Sequence, residues 1–208
     1  MRYLLAVIAA YLLGSMSFSI FLSKALLGRD VRSCGSGNAG ATNMARVYGM
    51  RMGALTLAGD MLKGAAAMFI GWKLCGDMGL ALGGTACMLG HCFPVFHSFR
   101  GGKGVSVGAV VALAVDWRVF IAVIAVFALT AVLSKKVSLG SICAALAAFI
   151  AALIFAASLP RLALTFFSAA MIIVRHRENI RRLLAGTEPD FKTGSKGAKL
   201  PKGGEMAK

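Results

Sequence analysis

The chain has 208 residues, is 58% hydrophobic, and carries 23 Lys and Arg against 8 Asp and Glu for a net charge of +15; its mean hydropathy is +0.77. A soluble domain is about 45–50% apolar, so this composition excludes a soluble globule and leaves no room for a separate water-soluble domain. The charge does not require nucleic acid: basic residues collect in cytoplasmic loops and near anionic head groups, and no nucleic-acid-binding motif is present.

Apolar runs follow one another at residues 3–22, 53–74, 79 to the 91–99 region, 104–115, 118–133, 137–157 and 162–174. A helix needs roughly 20 apolar residues to cross the hydrocarbon, and it satisfies its own backbone hydrogen bonds there. The runs therefore predict an all-α integral membrane protein with seven transmembrane helices. The first run lacks the basic n-region and cleavage site of a signal peptide and reads as a span. The run at 104–115 is short, about 18 Å of helix. Either the bilayer is thinned locally there, or the glycine-rich 101–104 segment before it dips inward, and backbone at that depth suggests that this segment floors a cavity. The expected organisation is one membrane domain over 1–190 and a basic, disordered tail over 191–208. No internal repeat is present.

Seven spans put the chain ends on opposite sides. With the N-terminus outside, eighteen basic residues fall on the inner side and four (Arg2, Lys73, Arg118, Arg161) on the outer, with Lys63 inside a span. The positive-inside rule thus predicts a periplasmic N-terminus and a cytoplasmic C-terminus. It also gathers every glycine-rich motif on the cytoplasmic face. Cys34, Cys75, Cys87, Cys92 and Cys143 form no CxxC pair and read as reduced thiols.

The first motif is Gly35-Ser36-Gly37-Asn38-Ala39-Gly40-Ala41-Thr42-Asn43, followed by Arg46. Its glycines let consecutive N–H groups form an anion nest, its hydroxyls and amides add donors, and an arginine forks onto phosphate oxygens. The competing reading is a loop with glycines for packing. The second is Gly90-His91-Cys92-Phe93-Pro94-Val95-Phe96, then Phe99-Arg100-Gly101-Gly102-Lys103-Gly104-Val105. Glycines and a lysine opening an apolar helix read as a phosphate cradle at a helix N-terminus, although the Walker A spacing is absent. Alternatively, Lys103 is a snorkelling interface lysine. His91 and His97 lack the partners that a metal site needs.

The third motif is Arg175-His176-Arg177-Glu178-Asn179-Ile180. On a continuing helix His176 and Asn179 share a face, whereas Arg181 and Arg182 read as a stop-transfer basic cluster. Ser138 reads as a cap for the sixth span, with Ser141 one turn further in. Asp60 and Lys63, one turn apart inside the second span, fit either a mutual ion pair or a site role. No Ser-His-Asp triad and no nucleophilic cysteine with a base is present, so the chemistry must rest on positioning and charge stabilisation.

Together the segments 35–46, 90–105 and 175–183 resemble those of the bacterial acyl-phosphate:glycerol-3-phosphate acyltransferase family, over about residues 3–190. Cys34 before the first glycine and Ser106-Val107 are small departures. The resemblance implies transfer of a fatty acyl group from acyl phosphate to the 1-hydroxyl of glycerol 3-phosphate. The products would be lysophosphatidic acid and phosphate, in the first step of phospholipid synthesis at the bacterial inner membrane. It implies no cofactor and no metal. The expected partners are the two substrates, membrane lipid and functional coupling to a soluble acyl-phosphate synthase. Lys103, His176, Ser36 and Asn179 are the expected catalytic residues. Ser36, Gly37, Asn38, Thr42, Asn43, Arg46, Gly101, Gly102, Lys103, Gly104, Ser141, His176 and Asn179 are expected to bind substrate phosphate, with the glycines offering backbone N–H groups. Either His176 or a substrate phosphate oxygen would take the hydroxyl proton. A transporter or channel for phosphate or a sugar phosphate is the alternative, disfavoured by the lack of repeats and by motifs gathered at one face. A structural anchor for anionic lipid would account for the tail but not for the glycine motifs.

Overall fold

The computed structural model describes residues 1–155 and 158–191, and these are helical and irregular with no strand among them. The predicted tail therefore lies outside the described residues, apart from Phe191. Nine α-helices occur in the described residues: α1 (Arg2–Ser15), α2 (Phe18–Leu27), α3 (Ala41–Tyr48), α4 (Met50–Cys92), α5 (Val105–Val115), α6 (Trp117–Ser134), α7 (Val137–Phe155), α8 (Leu159–Arg175) and α9 (Arg177–Leu184).

The first apolar run is not one straight helix. Met16 and Ser17 are extended, and α2 leaves α1 at a 40° bend. The cause lies far off in the chain. The Lys63 ammonium donates to the carbonyls of Gly14 (2.9 Å) and Met16 (2.6 Å), satisfying acceptors at the broken end of α1. The predicted loop from 24 to 52 also contains a helix, α3, entered through Gly40 and left through Gly49 at φ 90°.

Helix α4 reverses direction at Cys75–Gly76, where Gly76 takes φ 59°. Its arms, 50–74 and 77–92, then pack antiparallel. Gly71 lies against Gly79, and a Cβ on Gly83 would sit 2.8 Å from the Ala67 carbonyl. The same economy seats α1 on the second arm, where Gly14 meets the Cys87 backbone and Gly90 meets Tyr11 and Ser15. Lipid tails are as apolar as leucine, so helices gain most from such close backbone approach through small residues.

Three helices are long and apolar enough to cross a membrane, or up to five if each bent pair counts as one span, and α5 is shorter. Val132, Leu133 and Ile154 are each more than two-thirds exposed, an apolar surface suited to lipid. At one end, Arg161 pairs with Asp77 (2.9 Å) and donates to the Val115 carbonyl (3.0 Å). The glycine-rich motifs gather at the other.

Candidate active site

The first motif is shaped by one side chain. Asn43 is buried; its amide N donates to the carbonyls of Val31, Cys34 and Asn38 at 3.1–3.2 Å. Its Oδ1 accepts from the Ser36 N–H at 2.9 Å. Its two amide N–H groups, shared among three carbonyls, and its Oδ1 thus hold the 31–38 backbone in place. Gly37, at φ 72°, spends its N–H on the Cys34 carbonyl. Ser36, Asn38 and Thr42 are left facing a cavity, with Arg46 beside them on α3.

The second motif departs from the expected cradle. The N–H groups of Gly101 and Gly102 donate to the Cys92 and His91 carbonyls at the end of α4, at 3.2 and 3.0 Å. They cap that helix and are not available to a phosphate. Glycine is required for closeness: a Cβ at 101 would strike the His91 carbonyl, and one at 102 the His91 ring and, at 2.8 Å, the Ala39 carbonyl. Arg175 fastens the turn from the far side, donating to the Gly102 (3.2 Å) and Gly101 (3.4 Å) carbonyls. Gly104, at φ 84°, starts α5. Gly102 and Gly104 do not line the cavity; they support Lys103, which does.

The third motif is not a continuing helix. The chain bends by 57° between α8 and α9, with His176 at the junction. His176 and Asn179 nevertheless reach the same cavity. Asn179 Oδ1 accepts from the Lys103 ammonium, and its Nδ2 donates to Glu188 Oε1 at 2.6 Å. Glu188 Oε1 also accepts from Ser138 Oγ (2.6 Å), and Oε2 from Arg182 Nε (2.7 Å). Glu188 and Arg182 are the residues that sequence reasoning missed. Ser138 donates to Glu188 rather than capping α7, and Arg182, read from the sequence as a stop-transfer charge, lines the cavity. The chain after α9 is strapped down beside them: Lys136 Nζ donates to the Glu188 carbonyl (2.6 Å) and pairs with Asp190 (3.1 Å), and the Phe191 N–H donates to the Lys135 carbonyl (2.8 Å). The packed chain thus reaches Phe191, the first residue of the expected disordered tail.

Burial, reinforced by Arg182 and other cations and opposed by Glu188, draws the Lys103 ammonium down to about 8. Burial also brings His176 down to about 4, against the bond to the Ile172 carbonyl and with help from Lys103. His176 Nδ1 lies 2.8 Å from that carbonyl, so the neutral ring carries its proton on Nδ1 and keeps a lone pair on Nε2. Burial opposes ionisation of Glu188, but its three donors outweigh it and the carboxyl stays below its usual range.

The cavity has a volume of about 310 Å³. Its polar lining includes Ser36, Arg46, Lys103, Ser141, His176 and Asn179, and its apolar lining includes Val123, Phe127, Ala144 and Ala148. The N-termini of α3, α5 and α7 all open on it, through Thr42, Ser106 and Ser138, adding positive partial charge. Gly37 and Gly101 lie elsewhere, on a second cavity of about 270 Å³. Asp60 and Lys63 form the interior ion pair at 2.9 Å.

The glycerol-3-phosphate acyltransferase family model matches residues 4–186. The chain belongs to that family. Among its curated relatives, the glycerol-3-phosphate acyltransferase of Syntrophotalea carbinolica is 41% identical over 192 residues, covering 91% of this chain and 98% of that protein. That of Trichlorobacter lovleyi is 44% identical over 185 residues, covering 88% and 94%. The fold is similar to crystal structures of the integral membrane glycerol 3-phosphate acyltransferase PlsY (YgiH). The glycerol 3-phosphate form gives a TM-score of 0.87 at 40% identity, covering 92% of this chain and 96% of that one. The lysophosphatidic acid form gives 0.85 at 39%, covering 93% and 97%. The cavity brings cationic side chains and an apolar wall together.

Proposed function

We propose that this acyltransferase takes its acyl group from an acyl phosphate and passes it to the 1-hydroxyl of glycerol 3-phosphate, releasing lysophosphatidic acid and inorganic phosphate. The observation that carries this reading is one cavity lined both by Arg46 and Lys103 and by the apolar Val123, Phe127, Ala144 and Ala148. The PlsY structures, whose names specify glycerol 3-phosphate and lysophosphatidic acid forms, support the acceptor and the product.

The glycerol oxygen attacks the acyl carbonyl carbon, the bond from that carbon to the phosphate oxygen breaks, and the hydroxyl proton leaves on the phosphate. Lys103 and the α5 N-terminus offset the negative charge on the carbonyl oxygen and on the departing phosphate. Arg46, Ser36 and Ser141 hold phosphate oxygens. With its conjugate acid near 4, His176 is a weak base; it accepts a hydrogen bond from the glycerol hydroxyl and orients it. The donor is already a mixed anhydride, so the leaving phosphate suffices as proton acceptor.

The membrane arrangement belongs to the same proposal. The segments α1, the two arms of α4, α5, α6, α7 and α8 serve as seven crossings, the N-terminus lies outside, and the site opens to the cytoplasm from the bacterial inner membrane. The excess of basic residues at the site's end supports this. Residues 1–190 act as one domain, and coupling to a soluble acyl-phosphate synthase would supply the donor from the same side.

Purified protein given palmitoyl phosphate and glycerol 3-phosphate, without added metal, should release phosphate and lysophosphatidic acid. Turnover with palmitoyl-CoA but not palmitoyl phosphate would overturn the donor assignment.

A further inference from the structure

The second cavity, about 270 Å³, lies on the other side of the Gly37–Asn38 turn from the first, and Asn38 lines both. Its remaining walls are Arg32, Phe99, Arg100, Gly101 and Arg175. Three arginines line one small space, and the nearby carboxylate, Asp30, is paired with Arg32 at 2.8 Å. Arg32 and Arg175 are fixed in place. Arg32 donates to the His97 and Arg100 carbonyls, and Arg175 holds Gly101 and Gly102 with its guanidinium 5.1 Å over the Phe93 ring. The Arg100 side chain makes no hydrogen bond or ion pair among the described residues.

Charge balance says what this space is for. The charged groups on the first cavity are Arg46, Lys103, Arg182 and Glu188, a net of +2. The proposed reaction brings two phosphate groups together, each carrying roughly −1.5 to −2. The first cavity neutralises about one of them. Arg32, Arg100 and Arg175 beside it, with Asp30 and the Lys24 that pairs with it at 3.4 Å, supply a further +3, enough for the second.

We propose that the second cavity is a separate binding site for a phosphate dianion, placed to receive the inorganic phosphate released by acyl transfer. Its role in release rests on the acyl-phosphate reading; its affinity for phosphate does not. Phosphate passing the Asn38 wall leaves the first cavity while the lysophosphatidate chain still lies against its apolar lining. Arg100 is the uncommitted cation that draws it there.

Equilibrium binding of labelled inorganic phosphate to the full chain, in lipid-free non-ionic detergent, tests the site. Two phosphates per chain are expected. Arg100→Glu should abolish one, and Lys103→Ala should weaken the other, each by about tenfold or more. If Arg100→Glu does not fold, Arg100→Gln should weaken the same phosphate by about tenfold. One phosphate per wild-type chain, or two unaffected by loss of the Arg100 charge, overturns the proposal. A second arm adds a short-chain, water-soluble phosphatidate. If it displaces the Arg100-dependent phosphate and binds there tenfold more tightly, the site belongs to a lipid head group and the release role fails. If two phosphates bind but palmitoyl phosphate is no donor, the site stands and the proposed function falls. If transfer proceeds from palmitoyl phosphate but only one phosphate binds, the reverse holds.

Discussion

Lys63 and Lys103 both carry a buried or half-buried ammonium in an apolar bundle, and they do opposite things. The Lys63 ammonium reaches Asp60 Oδ1 (2.9 Å) and the carbonyls of Gly14 (2.9 Å) and Met16 (2.6 Å). Two of its donors go to those carbonyls, Asp60 pairs with it, and it does not line the cavity. The Lys103 ammonium has a single protein partner among the described residues, Asn179 Oδ1, and faces the cavity. A buried charge is structural when protein partners enclose it and available for chemistry when it faces a cavity. Residue type does not separate the two cases; what the ammonium faces does.

The largest expected effect tests the lysine that faces the cavity. Lys103→Ala should lower kcat/KM by about a thousandfold, or about 4 kcal/mol of transition-state stabilisation, with little change in the thermal melt. Wild-type-like turnover would remove Lys103 from the site. Lys63→Met should show the reverse pattern. It leaves Asp60 buried without its partner, which costs about 3 kcal/mol of stability and should appear as a lower melting temperature in detergent. Asp60→Leu combined with Lys63→Met should recover part of that loss, because both charges are then gone. A Lys63→Met protein that melts normally but turns over slowly would erase the distinction between the two lysines.

Much of the site was legible because spacing and residue type suffice when the chemistry is a cluster of donors. Ser36, Arg46, Lys103, Ser141, His176 and Asn179 do share one cavity. The direction of individual backbone groups was not legible. Gly101 and Gly102 looked like phosphate donors, yet their N–H groups turn back to cap α4. What demands glycine there is the nearness of His91 and Ala39, a tertiary contact. The break at Met16–Ser17 was hidden for the same reason, since the acceptors it exposes are met by Lys63, 47 residues away in the case of Met16. Glu188 was missed because it lies beyond the last helix in a polar stretch. Its importance comes from three donors, on α7 and α9, that converge on it.

Glu188 extends the comparison to how Lys103 is aimed. By accepting from Asn179 Nδ2, it fixes the amide so that Oδ1 faces Lys103. Glu188→Gln puts an amide donor where one of three donors now arrives, at Ser138, Asn179 or Arg182. Each charge-assisted bond of this kind is worth about 1.5–3 kcal/mol, so kcat/KM should fall roughly 10- to 100-fold. Glu188→Asp, which keeps the acceptor, should recover part of the loss. An unchanged kcat/KM in Glu188→Gln would show that Lys103 needs no such aiming.

The smallest effect is in the pH profile. Lys103 works as a cation, and its folded-state value lies at about 8, below its ordinary 10.5. Its charge is therefore complete well below 8 and lost as pH rises through that value. The free enzyme should show a falling limb in kcat/KM near pH 8, with about half the activity lost there. A bound phosphate favours the ammonium, so the matching limb in kcat should lie higher. His176, drawn down to about 4, is neutral across the assay range and should add no acid limb near 6.5. Lys103→Arg, to whatever extent it is active, should lose the alkaline limb, since a guanidinium stays charged. A rising acid limb near 6.5 that disappears in His176→Gln would instead make His176 the base and Lys103 only a charge.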